Sequence, residues 1–388
     1  MAKQLLFIPG PVTCAPEVLD ALARPLIDHR GPEFAALLER VTSGMRPLFG
    51  TSNEVLVLGA SGTGGLEAAI ANSFSPGQRV LAAPVGVFGR RLASIATTYG
   101  LQVETIDTPA GSALDPAALG AHLHADAGHG FDGVLLTHNE TSTGVQNDMA
   151  ALAGAIGDHP ATVIVDSVSG LGSSPFAMDA WRFDVVVTAS QKVIGAPPGL
   201  AFVAVSERGW ERLAGARIPR FYFDLLRARQ FAADGQTPWT PPVSLLFAVE
   251  AALERYAAEG AERVHARYDR YARAIRAFAA AAGIDVFSRP GAHSLTVVAM
   301  HVPDGCDVAA IRKRLREDHD IVLGGGQAEL KGKILRMGTM GDLTAVDVLH
   351  GLEALEAVLR AQGFAMRSDT AMSAASAILE EQLTGSRA

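Results

Sequence analysis

The stretch Asp184-Val-Val-Val-Thr-Ala-Ser-Gln-Lys-Val-Ile-Gly-Ala-Pro-Pro-Gly199 places one lysine just after an apolar segment. The β-branched run Val185–Thr188 predicts a buried strand, and the glycines and prolines that follow predict a loop. Ligands of α/β folds bind at the carboxyl ends of such strands. Burial there would lower the pKa of Lys192 and make its neutral amine available as a nucleophile. A surface lysine in a strand-exit loop is the alternative interpretation.

The amino-acid composition is that of a globular protein, and the length of 388 residues is sufficient for two domains. The chain has a net charge of −8, and its sequence contains no block of like charges, so we expect neither nucleic acid nor a membrane as partner. The two cysteines argue against a disulfide framework or a thiolate metal site and favour a cytoplasmic location. Prolines end the apolar run Met1–Phe7 too early for a signal peptide or transit peptide.

A glycine-rich segment, Gly59-Ala-Ser-Gly-Thr-Gly-Gly65, lies between a predicted strand, Glu54–Leu58, and a predicted helix, Leu66–Asn72. This order favours phosphate binding, because free backbone N–H groups and the helix dipole point toward the anion. The segment is neither a Walker A loop nor a dinucleotide fingerprint, since no Lys-Ser/Thr follows Gly64 and Glu67 replaces a third glycine. We therefore expect a phosphate other than that of ATP or NAD, with a purely structural turn as the alternative.

Short apolar strands alternate with helices through the first half of the chain, which predicts a mostly parallel sheet covered on both faces. The polar cluster His138–Gly144, Asp166 and Lys192 each follow a predicted strand, so they should meet at one sheet edge. Beyond Trp210 the pattern changes to an irregular aromatic segment, long helices and a smaller α+β region. The tail Met366–Ala388 predicts a weak helix without recognisable chemistry.

These features match the needs of pyridoxal 5′-phosphate. That cofactor needs a lysine for a Schiff base, an anion cup for its phosphate and a carboxylate that keeps its pyridine nitrogen protonated. Lys192, the glycine-rich segment and Asp166 supply these groups, and Phe88 is a candidate for the aromatic face against the ring. For Asp166 alone, capping of the following turn is the alternative.

Five motifs occur in the order Thr137–Gly144, Val165–Gly172, Ser190–Gly199, Thr237–Pro242 and Gly332–Gly338. Together they resemble the class V aminotransferases, in the branch of alanine–glyoxylate, serine–glyoxylate and serine–pyruvate aminotransferases. The resemblance runs from about Phe7 to Leu359 and implies the α/β architecture of fold type I pyridoxal-phosphate enzymes. That architecture has a mostly parallel seven-stranded sheet in a large domain and a smaller α+β C-terminal domain.

The resemblance also implies a domain organisation and an activity. An arm over residues 1–20 would line the active site, followed by a large cofactor-binding domain (21–265), a small domain (266–365) and a tail (366–388). The implied reaction moves the amino group of alanine or serine to glyoxylate or pyruvate by a ping-pong mechanism. Other donors (ureidoglycine, aminoethylphosphonate or aspartate), a lyase or desulfurase, and a catalytically silent subunit remain alternatives.

The roles of the cofactor-binding residues follow from the same resemblance, position by position. Lys192 would be the Schiff-base lysine and proton carrier, and Asp166 would pair with the pyridine nitrogen. Phe88 and Val168 would lie on opposite faces of the ring, and Thr141 near the ring hydroxyl or the phosphate. The phosphate cup would consist of Ser61, Gly62, Thr63 and Gln191.

The remaining implied roles concern the substrate and a second subunit. Arg336 would hold the substrate α-carboxylate and Gly10 would line the substrate pocket. Thr237 and Thr240 would reach the phosphate from the other subunit, so the resemblance implies a homodimer with shared active sites. Phe88, Thr237 and Asn139 stand where some family members carry other residues, which leaves the amino donor open. No metal is expected.

Overall fold

The computed structural model describes residues 4–125 and 130–385. In the first 205 residues the strands are β1 (Leu5–Phe7), β2 (Glu54–Gly59), β3 (Arg79–Ala82), β4 (Gln102–Thr105), β5 (Gly133–Thr137), β6 (Asn139–Glu140), β7 (Val145–Gln146), β8 (Thr162–Asp166), β9 (Val185–Ala189) and β10 (Leu200–Val205). The helices of this part are α1 (Pro16–Ala21), α2 (Pro32–Phe49), α3 (Gly62–Ser73), α4 (Val87–Thr98), α5 (Pro116–Ala125) and α6 (Met149–Ile156).

Beyond residue 205 helices predominate. They are α7 (Glu207–Gly215), α8 (Leu225–Ala233), α9 (Val243–Glu259), α10 (Ala261–Ala282), α11 (Val308–His319), α12 (Ala345–Ala361) and α13 (Ala371–Gly385). The strands are β11 (Val297–His301), β12 (Ile321–Gly325) and β13 (Ile334–Gly338), and a 3₁₀ turn covers Ala328–Leu330.

The large sheet has seven strands in the order β2-β10-β9-β8-β5-β3-β4. Strand β10 runs antiparallel to both its neighbours, and the other pairs are parallel. Alternate residues of β9 face opposite sides, with Val186 in one apolar cluster and Val185 and Val187 in another. Helices cover both faces, which explains the continuous apolar runs of β8 and β9. The predicted mostly parallel seven-stranded sheet is confirmed.

A second sheet of four strands has the order β1-β12-β13-β11. Strand β1 comes from the N-terminus and pairs in parallel with β12, and Phe7 is completely buried in the apolar cluster of this sheet. The sequence predicted only a rigid extended segment at residues 5–18. A strand of three residues is too short to show a periodic pattern, so its pairing depends on the exposed edge that β12 offers.

Helix α3 begins four residues earlier than the sequence predicted, at Gly62 instead of Leu66. The Ser61 hydroxyl caps the helix by accepting a hydrogen bond from Gly64 N at 3.4 Å. A Cβ atom at Gly65 would lie 2.7 Å from Val187 Cγ1 on β9. The glycines of this segment therefore belong mostly to a helix that packs very closely on the sheet, and less to an open loop.

The tail contributes to the core of the small sheet. Helix α13 packs against α10 and α12, and Ala371, Ala375 and Leu379 are buried in the same apolar cluster as Phe7. Their spacing of four residues places them on one helical face. The sequence suggested no role for this segment. The domain boundaries given in the sequence analysis stay a prediction. None of the described helices has the length and apolar character that crossing a membrane requires.

Ala375→Asp should lower the free energy of unfolding by at least about 2 kcal/mol, because it buries an unpaired carboxylate between α13 and its neighbours. Ala377→Asp, on the exposed face of α13, is the matched control and should stay within about 0.5 kcal/mol of the parent protein. Urea denaturation followed by circular dichroism measures both. Equal effects of the two substitutions would show that α13 does not stabilise the fold through this face.

Candidate active site

One cavity at the carboxyl edge of the large sheet brings together most of the predicted site residues. It lies where β8 and β9 end and where α3 and α4 begin, which is the position expected for a ligand in such a sheet. The predicted residues that line it are Ser61, Gly62, Thr63, Phe88, Thr141, Asp166, Val168, Gln191 and Lys192. Motifs far apart in the chain thus form a single site.

Lys192 lies three residues beyond β9, and its ammonium group donates a hydrogen bond to the Pro9 carbonyl oxygen. A Cβ atom at Gly10 would lie 2.7 Å from Lys192 Nζ, and the φ of +115° at this position also favours glycine. Burial lowers the pKa of Lys192 to about 8; the Asp166 charge raises it, and the charges of Arg336 and Arg91 lower it further. A pKa in this range leaves a reactive neutral fraction near neutral pH.

Asp166 ends β8 and is only 4% exposed. Its Oδ1 accepts a hydrogen bond from Val168 N at 3.0 Å, and none of the described hydrogen bonds reaches Oδ2. Burial raises the pKa of Asp166 to about 7, against the Val168 hydrogen bond and the Lys192 charge, which lower it. A buried carboxylate with one free oxygen would be stabilised by a cationic N–H donor in the cavity.

The N-terminus of α3 could hold an anion at this cavity. The first N–H groups of a helix have no partner within the helix, so those of Gly62 and Thr63 are available to an anion. A Cβ atom at Gly62 would lie 2.8 Å from Val168 Cγ2, so glycine at this position lets α3 pack closely against Val168. Gln191 Oε1 is buried and has no described partner, and rotating the amide would present N–H groups at that point.

These groups fit pyridoxal phosphate. Lys192 offers an amine of lowered pKa, Asp166 offers a free carboxylate oxygen, and the α3 N-terminus with the adjacent Gln191 amide, whose oxygen has no described partner, suits a phosphate. Phe88 and Val168 line the same cavity and supply apolar surface for the ring.

Arg336 lies on β13 of the small sheet and is 7% exposed. Its Nη1 donates to the Thr141 carbonyl oxygen and its Nε to that of Gly325, both at 2.8 Å. Because Thr141 lines the cavity, this bond holds the guanidinium at the border of the site. Two of its five N–H groups are used in these bonds, so a carboxylate could still be bound.

Thr237 and Thr240 lie outside this cavity. They line a separate one beside Trp239, and the Thr237 hydroxyl donates to the Trp239 carbonyl oxygen at 2.8 Å. Within one chain these threonines therefore do not meet Lys192. Their expected position at the cofactor of another subunit stays a prediction.

The sequence interpretation missed two groups at the site. Arg91 lines the cavity and follows Phe88 by three positions, a spacing that puts both on one helix face. Glu140 is fully buried and its carboxylate accepts hydrogen bonds from Phe88 N at 2.9 Å and Gly89 N at 3.0 Å. It therefore caps α4 and orients Phe88. The helical spacing was the available signal for Arg91, whereas Glu140 had none beyond its motif.

Two further polar residues, Asn139 and Ser169, also line the cavity. The Asn139 amide donates to the Ser169 hydroxyl at 2.8 Å and to the Thr296 hydroxyl at 3.0 Å. Thr296 directly precedes β11, so this network joins the cavity to the small sheet. The described residues contain no group of three or more His, Cys, Asp or Glu side chains placed to hold a metal ion.

Related proteins match nearly the whole length of this chain. Residues 19–343 match the family model described as Aminotransferase class-V. The chain is 41% identical over 363 residues to a protein named soluble hydrogenase, small subunit, of Synechococcus sp. (strain PCC 6716), covering 93% of this chain and 94% of that protein. It is 39% identical over 375 residues to the L-aspartate–glyoxylate aminotransferase of Paracoccus denitrificans, covering 95% of this chain and 94% of that protein.

A solved structure has the same fold. The alanine–glyoxylate aminotransferase of Nostoc sp. superimposes with a TM-score of 0.88 at 31% sequence identity, covering 93% of this chain and 96% of that one.

In the cofactor-free protein, acetylation of Lys192 by acetic anhydride should follow a titration curve with a midpoint near pH 8, because burial lowers its pKa to about 8. Asp166→Asn should move the midpoint to lower pH, since the carboxylate raises the pKa of the lysine. Competitive labelling with mass spectrometry of the Lys192 peptide measures both, and exposed Lys313 serves as the reference for reagent concentration. A midpoint at about 10.4, the pKa of an unperturbed lysine, would contradict the prediction.

Proposed function

Since this chain belongs to the class V aminotransferase family and is a pyridoxal-phosphate-dependent aminotransferase, we propose that it moves the amino group of alanine or serine to glyoxylate or pyruvate. The observation that carries the proposal is the meeting of Lys192 and Asp166 in one cavity, with Arg336 at its border. Asp166 ends β8 and Lys192 lies three residues beyond β9, so separate segments of the chain supply the two groups.

The proposed roles follow from the chemistry of these groups. When bound, pyridoxal phosphate supplies an electron-poor ring that stabilises the negative charge developing at the substrate Cα. The Lys192 amine would hold the cofactor between turnovers and, once freed, would carry the proton removed from Cα. The Asp166 carboxylate would hold a proton at the pyridine nitrogen, and Phe88 and Val168 would fix the plane of the ring.

Arg336 would orient donor and acceptor in turn. The proposed donors, alanine and serine, and the 2-oxo acid acceptors all carry a carboxylate beside the reacting carbon, and a guanidinium group binds a carboxylate in a fixed geometry. The bonds from Arg336 to two backbone carbonyl oxygens fix its orientation. Glyoxylate is the favoured acceptor, because the Paracoccus and Nostoc aminotransferases are both named for it.

L-Aspartate is the second candidate donor. The Paracoccus protein is named for it, at 39% identity over nearly the whole chain. The same site could bind L-aspartate, but it would also have to accommodate the side-chain carboxylate of this donor. Ureidoglycine and aminoethylphosphonate complete the set of donors to compare.

A desulfurase is disfavoured by its need for a reactive thiolate. Neither Cys14 nor Cys306 lines the cavity, and burial raises the pKa of both thiols. The cysteine count also supports the proposal of a cytoplasmic location.

We propose a homodimer with shared active sites. An exposed aromatic cluster supports it: Phe221 is 70% exposed, and its ring lies 4.9 Å from that of Trp239, which stacks on Tyr222. Exposed aromatic surface of this kind is typical of protein–protein contacts. Thr237 and Thr240 adjoin this cluster, so a partner docked there would receive them at its own site.

The purified protein supplied with pyridoxal phosphate should show a visible absorption band, which L-alanine or L-serine converts to the near-ultraviolet band of the aminated cofactor. Lys192→Ala should lower turnover at least about 100-fold, because it removes the proton carrier. Lys313→Ala, at an exposed lysine, is the matched control and should behave as the parent protein. A band that responds only to L-aspartate would replace the proposed donors by the second candidate. Absence of any visible band would contradict Lys192 as the cofactor lysine.

A hybrid dimer of one Lys192→Ala subunit and one Thr237→Ala/Thr240→Ala subunit should regain about half of the parent activity. If the threonines act across the interface, one of its two sites has an intact lysine and intact threonines. Differently tagged subunits allow the hybrid to be purified, and light scattering checks its mass. If the threonines act within their own chain, both sites carry a defect and the activity of the hybrid should be the average of the two variant homodimers.

A further inference from the structure

Arg91 contacts two of the residues predicted to bind the cofactor. It lies on α4 and lines the cavity, with its Nη1 3.3 Å from the Thr63 hydroxyl oxygen. Its guanidinium carbon lies 4.7 Å from the centre of the Phe88 ring. Thr63 is in the first turn of α3, so the guanidinium lies beside the helix N-terminus that forms the anion cup.

The neighbouring Arg90 is held differently. Its Nη2 forms an ion pair with Glu329 Oε1 at 2.7 Å. Arg91 forms no ion pair with a carboxylate in the part of the chain that the structure describes, and its described partners are a hydroxyl group and a ring. Consecutive residues of a helix point about 100° apart, which explains why Arg90 meets the 3₁₀ turn between β12 and β13 while Arg91 meets the cavity.

The charged side chains that line the cavity would be balanced by an anionic ligand. Its charged lining residues are Arg91, Lys192 and Asp166. Lys192 and Asp166 are assigned to the carbonyl group and the ring nitrogen of the cofactor. A phosphate monoester carries about −1.5 to −2 charges at neutral pH. The groups that the sequence assigned to it, namely two hydroxyls, backbone N–H groups and an amide, are all neutral.

We propose that Arg91 is a further cofactor-binding residue, which donates a charge-assisted hydrogen bond to the phosphate of pyridoxal phosphate at the N-terminus of α3. The Thr63 hydroxyl and the Phe88 ring hold the guanidinium in place. The inference rests on the proposed cofactor roles of α3 and Lys192, and it adds the cation that the cup lacks. The nearness of Arg91 to the ring site is also consistent with its charge lowering the pKa of both Asp166 and Lys192.

The test compares two ligands that differ only in the phosphate. Cofactor-free parent protein, Arg91→Gln, Arg91→Lys and the matched control Arg90→Gln are titrated with pyridoxal phosphate and with pyridoxal, followed by visible absorption. Arg91→Gln should bind pyridoxal phosphate about 10- to 100-fold more weakly, as expected for a lost charge-assisted hydrogen bond. Its affinity for pyridoxal should stay unchanged. Arg91→Lys should recover part of the loss, and Arg90→Gln should match the parent protein.

Several results would overturn the proposal. An equal loss of affinity for both ligands would show that Arg91 acts through Phe88 or the fold. An unchanged affinity for pyridoxal phosphate would show that Arg91 does not bind the phosphate. A raised KM for L-aspartate without a change in that affinity would count against the proposal in the same way. Circular dichroism of each variant guards against misfolding, and Arg91→Lys keeps the test valid if Arg91→Gln does not fold. A parent protein that binds neither ligand would instead refute the assigned cofactor site, which is a different failure.

Discussion

The parallel pairing of β8 with β9 is the constraint on which the site depends. Asp166 pairs with Val187 in this register, so the carboxylate and the chain leading to Lys192 leave the sheet at the same edge. Asp166 is buried and Lys192 is partly buried, and burial moves their pKa values toward each other, to about 7 for Asp166 and about 8 for Lys192. A buried acid and base poised near neutral pH suit proton transfer, and the closed packing of the sheet produces this state.

The small sheet completes the site from the opposite side. Strand β1 anchors the N-terminal arm in that sheet, and the following residues bring the Pro9 carbonyl oxygen and Gly10 against Lys192. Strand β13 carries Arg336, which bonds to the Thr141 carbonyl oxygen. Movement of the small sheet relative to the large one would therefore change the surroundings of Lys192 and of Arg336 together.

Two helix N-termini meet at the cavity and are treated differently. That of α4 is occupied by the Glu140 carboxylate, which also accepts hydrogen bonds from Ser142 N at 3.0 Å and Ser142 Oγ at 2.6 Å. That of α3 is capped by the Ser61 hydroxyl and keeps free N–H groups. Because Glu140 already satisfies α4, an anionic ligand is directed to α3. For the proposed cofactor, this arrangement would place the phosphate at α3 and so set the direction of the ring.

The sequence by itself determined the strands of the large sheet, the cavity edge and the pair Lys192 and Asp166, because apolar runs and strand-end polar residues are local patterns. It did not determine the early start of α3 at Gly62, the pairing of β1 or the burial of α13, since each depends on a surface that distant segments provide. The positions of Arg91 and Glu140 were likewise decided by tertiary structure. A charged side chain carries no sign in the sequence of whether it faces solvent, a helix end or a ligand cavity, and only packing settles that.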